Sequence, residues 1–150
     1  MKIQRFEDLE CWKEARKLVS MVYEAVHSSQ DFKKDYGLKN QVTDAAVSVM
    51  SNIAEGFSRH SNKEFIQFLF ISKSSASEVQ SILYVSLDQT YIDQPAFDRI
   101  YTQAEKVSRL DSGLITYLLR NQNNYNNKKS DRKTRTSEVV LKSDKTQQTQ

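Results

Sequence analysis

Three groups of residues in this chain have types and spacings that could do chemistry. Glu24 and His27 stand three apart in a helical stretch, the Glu-x-x-His spacing that supplies metal ligands inside helical bundles. A di-iron carboxylate centre needs a second such pair and a glutamate from each of two further helices. The other histidine, His60, has Phe57 at that spacing, so the second pair is missing and no metal is expected. Cys11, the single cysteine, sits beside Trp12 with no histidine at helical spacing, which predicts a plain thiol rather than a nucleophile. No P-loop, dinucleotide fingerprint or zinc spacing occurs. The chain is therefore expected not to be an enzyme, and to hold no cofactor.

The third group is a row. Asn52, Glu55 and Arg59 fall on one helical face at i, i+3 and i+7, and they extend a polar, small-residue line through Gln41, Ala45 and Ser48. Beside it runs an apolar line of Leu38, Val42, Ala46, Val49, Ile53 and Phe57. Two ordered rows on one helix predict contact with two surfaces, the bundle's own core and something else. A ligand or nucleic-acid site would need a cleft or further convergent groups. A subunit seam or docking stripe needs less: Glu55 pairs with Arg59 across one turn, and Asn52 fixes the register. Gly56 lets another helix approach, and Ser74, Ser75 and Glu78 of the next helix complete the network.

Four helices are predicted to position these groups. The first runs from about Asp8 to His27, with Phe6, Leu9, Trp12, Ala15, Val19, Val22 and Val26 inward and Leu18 and Tyr23 widening that side. Periodicity fails over residues 28–36, and the second helix then spans about Leu38 to Arg59. Ser61 and Glu64 match the capping box that opens the third, which runs from about Lys63 to Leu87. Pro95 suits the first turn of a fourth, where its missing N–H is not needed. Phe97, Ile100, Tyr101, Ala104, Val107, Leu110, Leu114 and Leu118 carry that helix to about Asn121, with Gly113 read as a point of close helix approach. The fold class is all-α, an antiparallel up-and-down four-helix bundle over residues 1–121.

Composition agrees with this and locates the charge. Three glycines and one proline in 150 residues are too few for a turn-rich β fold. With 38% hydrophobic and 27% charged residues, no apolar run long enough to span a bilayer and no signal-peptide pattern, a cytoplasmic protein with no membrane partner is expected. Residues 121–150 hold seven Lys and Arg against three Asp and Glu, whereas the first 120 hold 15 against 16. The net charge of +3 therefore resides at the C-terminus. Residues 122–150, rich in Asn, Gln and Lys, lack an apolar stripe and are expected to be a disordered tail. Lys128, Lys129, Arg132, Lys133 and Arg135 are the expected nucleic-acid contacts, RNA or DNA, in a sequence-independent and salt-dependent mode.

A set of local motifs, in order along the chain, carries a resemblance. They are Phe6-Glu7-Asp8-Leu9 with Trp12 and Ala15; Tyr36-Gly37-Leu38 with Gln41; Ala45-Ala46-Val47-Ser48; and Asn52-Ile53-Ala54-Glu55-Gly56. Phe65, Phe68, Leu69, Ser75 and Glu78 follow, then Gly113-Leu114-Ile115 with Tyr117-Leu118. Over residues 6 to about 120 the chain resembles the four-helix-bundle proteins encoded within intervening sequences of bacterial 23S ribosomal RNA genes. That family is similar in fold to the accessory proteins of diversity-generating retroelements. The resemblance implies a ring-like homopentamer without enzymatic activity. It also implies that RNA or DNA, or a reverse transcriptase served as accessory subunit, are the partners to consider. Many members carry a basic pair shortly after the residue matching Gln41; this chain has Thr43 and Asp44 there, which moves the expected nucleic-acid contact from the bundle to the tail.

Overall fold

The computed structural model describes the backbone of residues 2–146 and the side chains of residues 2–126. Among the described residues there are helices and no strands. A 3₁₀ turn, Phe6–Asp8, precedes α1 (Glu10–His27), α2 (Gln30–Lys34), α3 (Tyr36–Phe57), α4 (Asn62–Asp88) and α5 (Gln94–Thr146). By internal contacts the chain divides into Met1–Ile115, which contains the bundle, and Thr116–Gln150.

Pairwise bonds give the topology. Ser48 meets Ser75 while Gly56 lies against Phe65 and Phe68, so α3 and α4 are antiparallel. Ser72 meets Asp111 and Gln80 meets Glu105, so α4 and α5 are antiparallel. Glu14 accepts from Gln103, and Cys11 faces Asp111, which sets α1 against α5 in the same sense. The long helices therefore alternate up and down, as the short connections require. α1, entered from Leu9, has no side-chain cap, whereas α3, α4 and α5 each start at a side chain that accepts an otherwise orphaned N–H. Asp35 takes Leu38 N–H at 3.1 Å, Ser61 takes Glu64 N–H at 3.2 Å, and Asp93 takes Ala96 N–H at 2.9 Å. Glu64 completes its box through the Ser61 hydroxyl at 2.8 Å.

Several expectations need correction. The residues from Ser28 to Tyr36 contain a fifth helix, α2, a single turn too short for periodicity to register. Ser29 caps it and Phe32, 1% exposed, anchors it. Phe32 stacks on Tyr91, whose hydroxyl donates to Asp35 at 3.0 Å, so α2 is tied to the connection before α5. That connection turns at Thr90, a non-glycine residue at φ 59°. The first helix begins at Glu10, because Leu9 is extended. Its buried stripe runs through Cys11, Ala15, Leu18, Val22 and Val26, leaving Trp12 and Val19 half-buried and Tyr23 exposed. Gly113 is not a point of close approach: a Cβ there would meet nothing within 4 Å. The last helix does not end at Asn121 but continues as helical backbone to Thr146. After Gly113 the chain has no glycine or proline to stop it, even where the apolar stripe has run out.

Candidate functional site

The polar row lies on α3 and reaches α4 through Ser48 and Arg59. Ser48 and Ser75 hydroxyls are 2.8 Å apart, and Asn52 donates its Nδ2 to both the Ser48 carbonyl at 2.8 Å and the Ser48 hydroxyl at 2.9 Å. Ser48 and Asn52 are half-buried and Ser75 is buried, in the seam between the two helices. Glu55 and Arg59 form the expected pair at 3.0 Å, and the Arg59 guanidinium also lies 4.8 Å from the centre of the Phe68 ring. Gly56 is buried where α4 comes closest. Gln41 and Glu78 are exposed and stand apart from this line, and Ser74 bonds to the Phe70 carbonyl of its own helix at 3.1 Å. The structure thus joins Ser48, Asn52 and Ser75, joins Glu55 to Arg59, and leaves Gln41 and Glu78 outside both groups.

Both helices of this pair also carry exposed apolar side chains. On α4, Phe70 is 53% and Ile71 47% exposed, Tyr84 and Val85 are exposed further along, and Val47 of α3 is exposed as well. Tyr84 packs edge-on against Phe97 and Tyr101 of α5, so these exposed side chains lie on more than one side of a helix that already buries ten residues. Of the two positions where a basic pair would stand, Thr43 is buried and donates to the Lys39 carbonyl at 2.8 Å, and only Asp44 faces outward. The tail residues Lys128, Lys129, Arg132, Lys133 and Arg135 lie outside the described side chains.

Two buried carboxyl groups were not anticipated. Asp111 occupies a core position of α5 between Val107 and Ile115, fully buried against Ser72 and Cys11. Burial pushes its carboxyl up to about 6, and it pushes the Cys11 thiol up to about 12, with the Asp111 charge adding to the latter. Cys11 is therefore a protonated, inert thiol at neutral pH. Glu14, 5% exposed, accepts from Lys17 at 2.8 Å and Gln103 at 2.8 Å and pairs with Lys106 at 3.2 Å. Those donors, Lys17 first, hold its carboxyl down at about 2. A signal for Glu14 did exist in the sequence, since it falls beside Leu18 and Cys11 on the inward face of α1.

Glu24 and His27 do not converge on a common point. Glu24 lines a cleft of about 300 Å³ with Tyr91, Asp93 and Arg99, while His27 packs edge-on against Tyr23 at 5.9 Å. Among the described residues no three His, Cys, Asp or Glu side chains gather as a metal site, and no helix is long and apolar enough to cross a membrane.

Comparison with known proteins fits this architecture. The family model described as 23S rRNA-intervening sequence protein matches residues 7–113. No curated protein matches the chain. A crystal structure of a protein of unknown function from the S23 ribosomal protein family of Bacteroides thetaiotaomicron is similar, with a TM-score of 0.64 and 19% identity. The match covers 70% of this chain and 97% of that one, a likeness of fold.

Proposed function

This chain belongs to the 23S rRNA-intervening sequence protein family, and from that premise we propose that it acts as a non-enzymatic oligomeric scaffold, a homopentamer, that associates weakly with nucleic acid. The observation that carries the reading is the outer α3/α4 face. There Ser48, Asn52 and Ser75 satisfy one another, while Ile71, one turn before Ser75, and Val47, next to Ser48, are exposed. A polar line that is already hydrogen-bonded adds little desolvation cost when a second subunit covers it, and the apolar flank supplies the gain. A closed ring needs a face of this kind on each subunit, packed against a different face of the next. Nucleic-acid association rests on the basic tail, repeated around such a ring so that each contact raises the effective concentration of the next.

Light scattering on the purified protein at micromolar concentration tests the assembly: five chains per particle is the expected mass, and a monomer refutes the scaffold. Truncation after Asn121 tests the tail. The shortened protein should keep its mass per particle and lose most RNA or DNA affinity, with the intact protein weakening steeply as salt rises.

A further inference from the structure

The face of α1 turned away from the core has a composition of its own. Trp12, Lys13, Arg16, Lys17, Ser20 and Met21 line a shallow groove of about 670 Å³. These positions recur every fourth residue in two adjacent rows, so the groove runs straight for more than two helical turns. Three of the six are cations and none is an acid. Arg16 has no carboxylate partner among the described residues; its guanidinium lies 5.9 Å from the centre of the Trp12 ring. The Trp12 ring also packs edge-on with Phe6 at 5.2 Å. Lys13 and Lys17 stand about 6 Å apart along the helix axis, tethered by Glu10 at 3.2 Å and Glu14 at 2.8 Å. The buried Glu14 carboxylate also gathers Lys106 of α5, so the basic rim continues across to Lys106 and the exposed Arg109.

We propose that this α1 groove is a docking track for single-stranded RNA, with a base stacked on Trp12 and phosphates on Lys13, Arg16 and Lys17. The proposal rests on the nucleic-acid part of the function above and adds to it a contact made by the bundle. An aromatic platform beside a file of cations is what an unpaired strand requires, because stacking accepts any base and the cations follow the backbone. A duplex keeps its bases stacked inside and offers nothing to the ring. Ser20 favours RNA over DNA. Its hydroxyl proton is directed at the Arg16 carbonyl, 3.3 Å away, which leaves its lone pairs to accept from a ribose 2′-hydroxyl. On binding, the base takes the place of the guanidinium on the ring, and Arg16 turns to the phosphate.

Trp12 is the only tryptophan in the chain, so its emission reports on this groove alone. The experiment titrates the full-length protein with a fluorescein-labelled 12-nucleotide oligouridylate, following label anisotropy and tryptophan emission together. The expected result is quenching of Trp12 with the same midpoint as the anisotropy rise. Arg16→Ala should weaken binding by roughly tenfold, on the scale of one lost stacking or phosphate contact, and Arg16→Lys should restore part of it. Binding by anisotropy with unchanged emission and an unaffected Arg16→Ala variant overturns the groove while leaving the tail-borne association intact. Absence of any binding overturns both. Equal affinity for the matching oligothymidylate overturns the assignment to RNA. If Arg16→Ala instead changes the mass per particle with no effect on RNA, the groove belongs to a subunit seam and the proposal falls.

Discussion

The Ser72 hydroxyl donates to Oδ2 of Asp111 at 2.7 Å, and both residues are fully buried. The same hydroxyl lies 3.1 Å from the Val49 carbonyl of α3, and Cys11 of α1 faces the Asp111 carboxyl. One polar point therefore touches α1, α3, α4 and α5. Among the described residues Asp111 Oδ1 has no hydrogen-bond partner, so the carboxylate is incompletely compensated. Buried polar groups of this kind are expensive when ionised.

The first prediction concerns that cost. Burial raises the folded carboxyl from 3.8 to about 6. The favourable state is therefore the protonated one, fully present below pH 3.8 and lost as pH rises through 6. The two values imply a loss on the order of 3 kcal/mol across that window. In Asp111→Asn that decline is absent. Urea unfolding at pH 4, 5, 6 and 7 should show the variant gaining on the wild type as pH rises, and parallel curves refute the effect.

Glu14 has the opposite sign. Its folded carboxyl sits at about 2 against an ordinary 4.5, so its contribution is present above 4.5 and lost as pH falls toward 2. The two lysines that hold it are mostly exposed, which screens the pairs. Glu14→Gln should therefore cost about 1 kcal/mol at pH 7 and flatten the acid limb of stability below pH 4.5. Thermal melts between pH 2 and 7 read both.

The two helical glycines should respond oppositely to alanine. At Gly56 a Cβ would stand 2.6 Å from Phe68 Cβ and 2.8 Å from a Phe65 ring carbon. The substitution must force α3 and α4 apart, at about 1–3 kcal/mol. At Gly113 there is open space, so alanine should gain about 1 kcal/mol from helix propensity alone. Equal effects in chemical denaturation refute the contrast.

Ile71→Asp places a charge in the exposed apolar flank of α4 and touches no core residue. Light scattering should find the assembly dissociated to smaller particles while circular dichroism and the melting temperature stay near those of the wild type. Asn52→Leu, which removes the middle of the hydrogen-bonded line, should loosen or change the stoichiometry more than it unfolds the bundle. An unchanged mass in both variants moves the seam elsewhere.

The helices were legible because their signals are local and repeated: Ser61 with Glu64, Pro95 in a first turn, apolar residues every three or four positions. Glu55 with Arg59 and the close approach at Gly56 were legible for the same reason, as each follows from spacing on one helix. The contacts between helices were not. Ser48 with Ser75, and Cys11 and Ser72 with Asp111, depend on which faces meet, and no periodicity specifies that. Asp111 was hidden further because hydrophobic pattern treats an acid as an outward residue, and Leu110 and Leu114 beside it drew the stripe away. Trp12 erred the other way: a large aromatic reads as core, yet the structure leaves it half in water.

Cys11 gives the molecule a clock. As the only thiol in the chain, protonated and shut inside α1 against α5, it is closed to alkylating reagents while the helices stay together. Each reaction it undergoes in native buffer then marks one excursion in which α1 parts from its neighbours. At high reagent concentration the labelling rate becomes the opening rate itself, and at low concentration it reports how much of the time the bundle stands open. The native sequence supplies the reporter, so no substitution has to be introduced to read it.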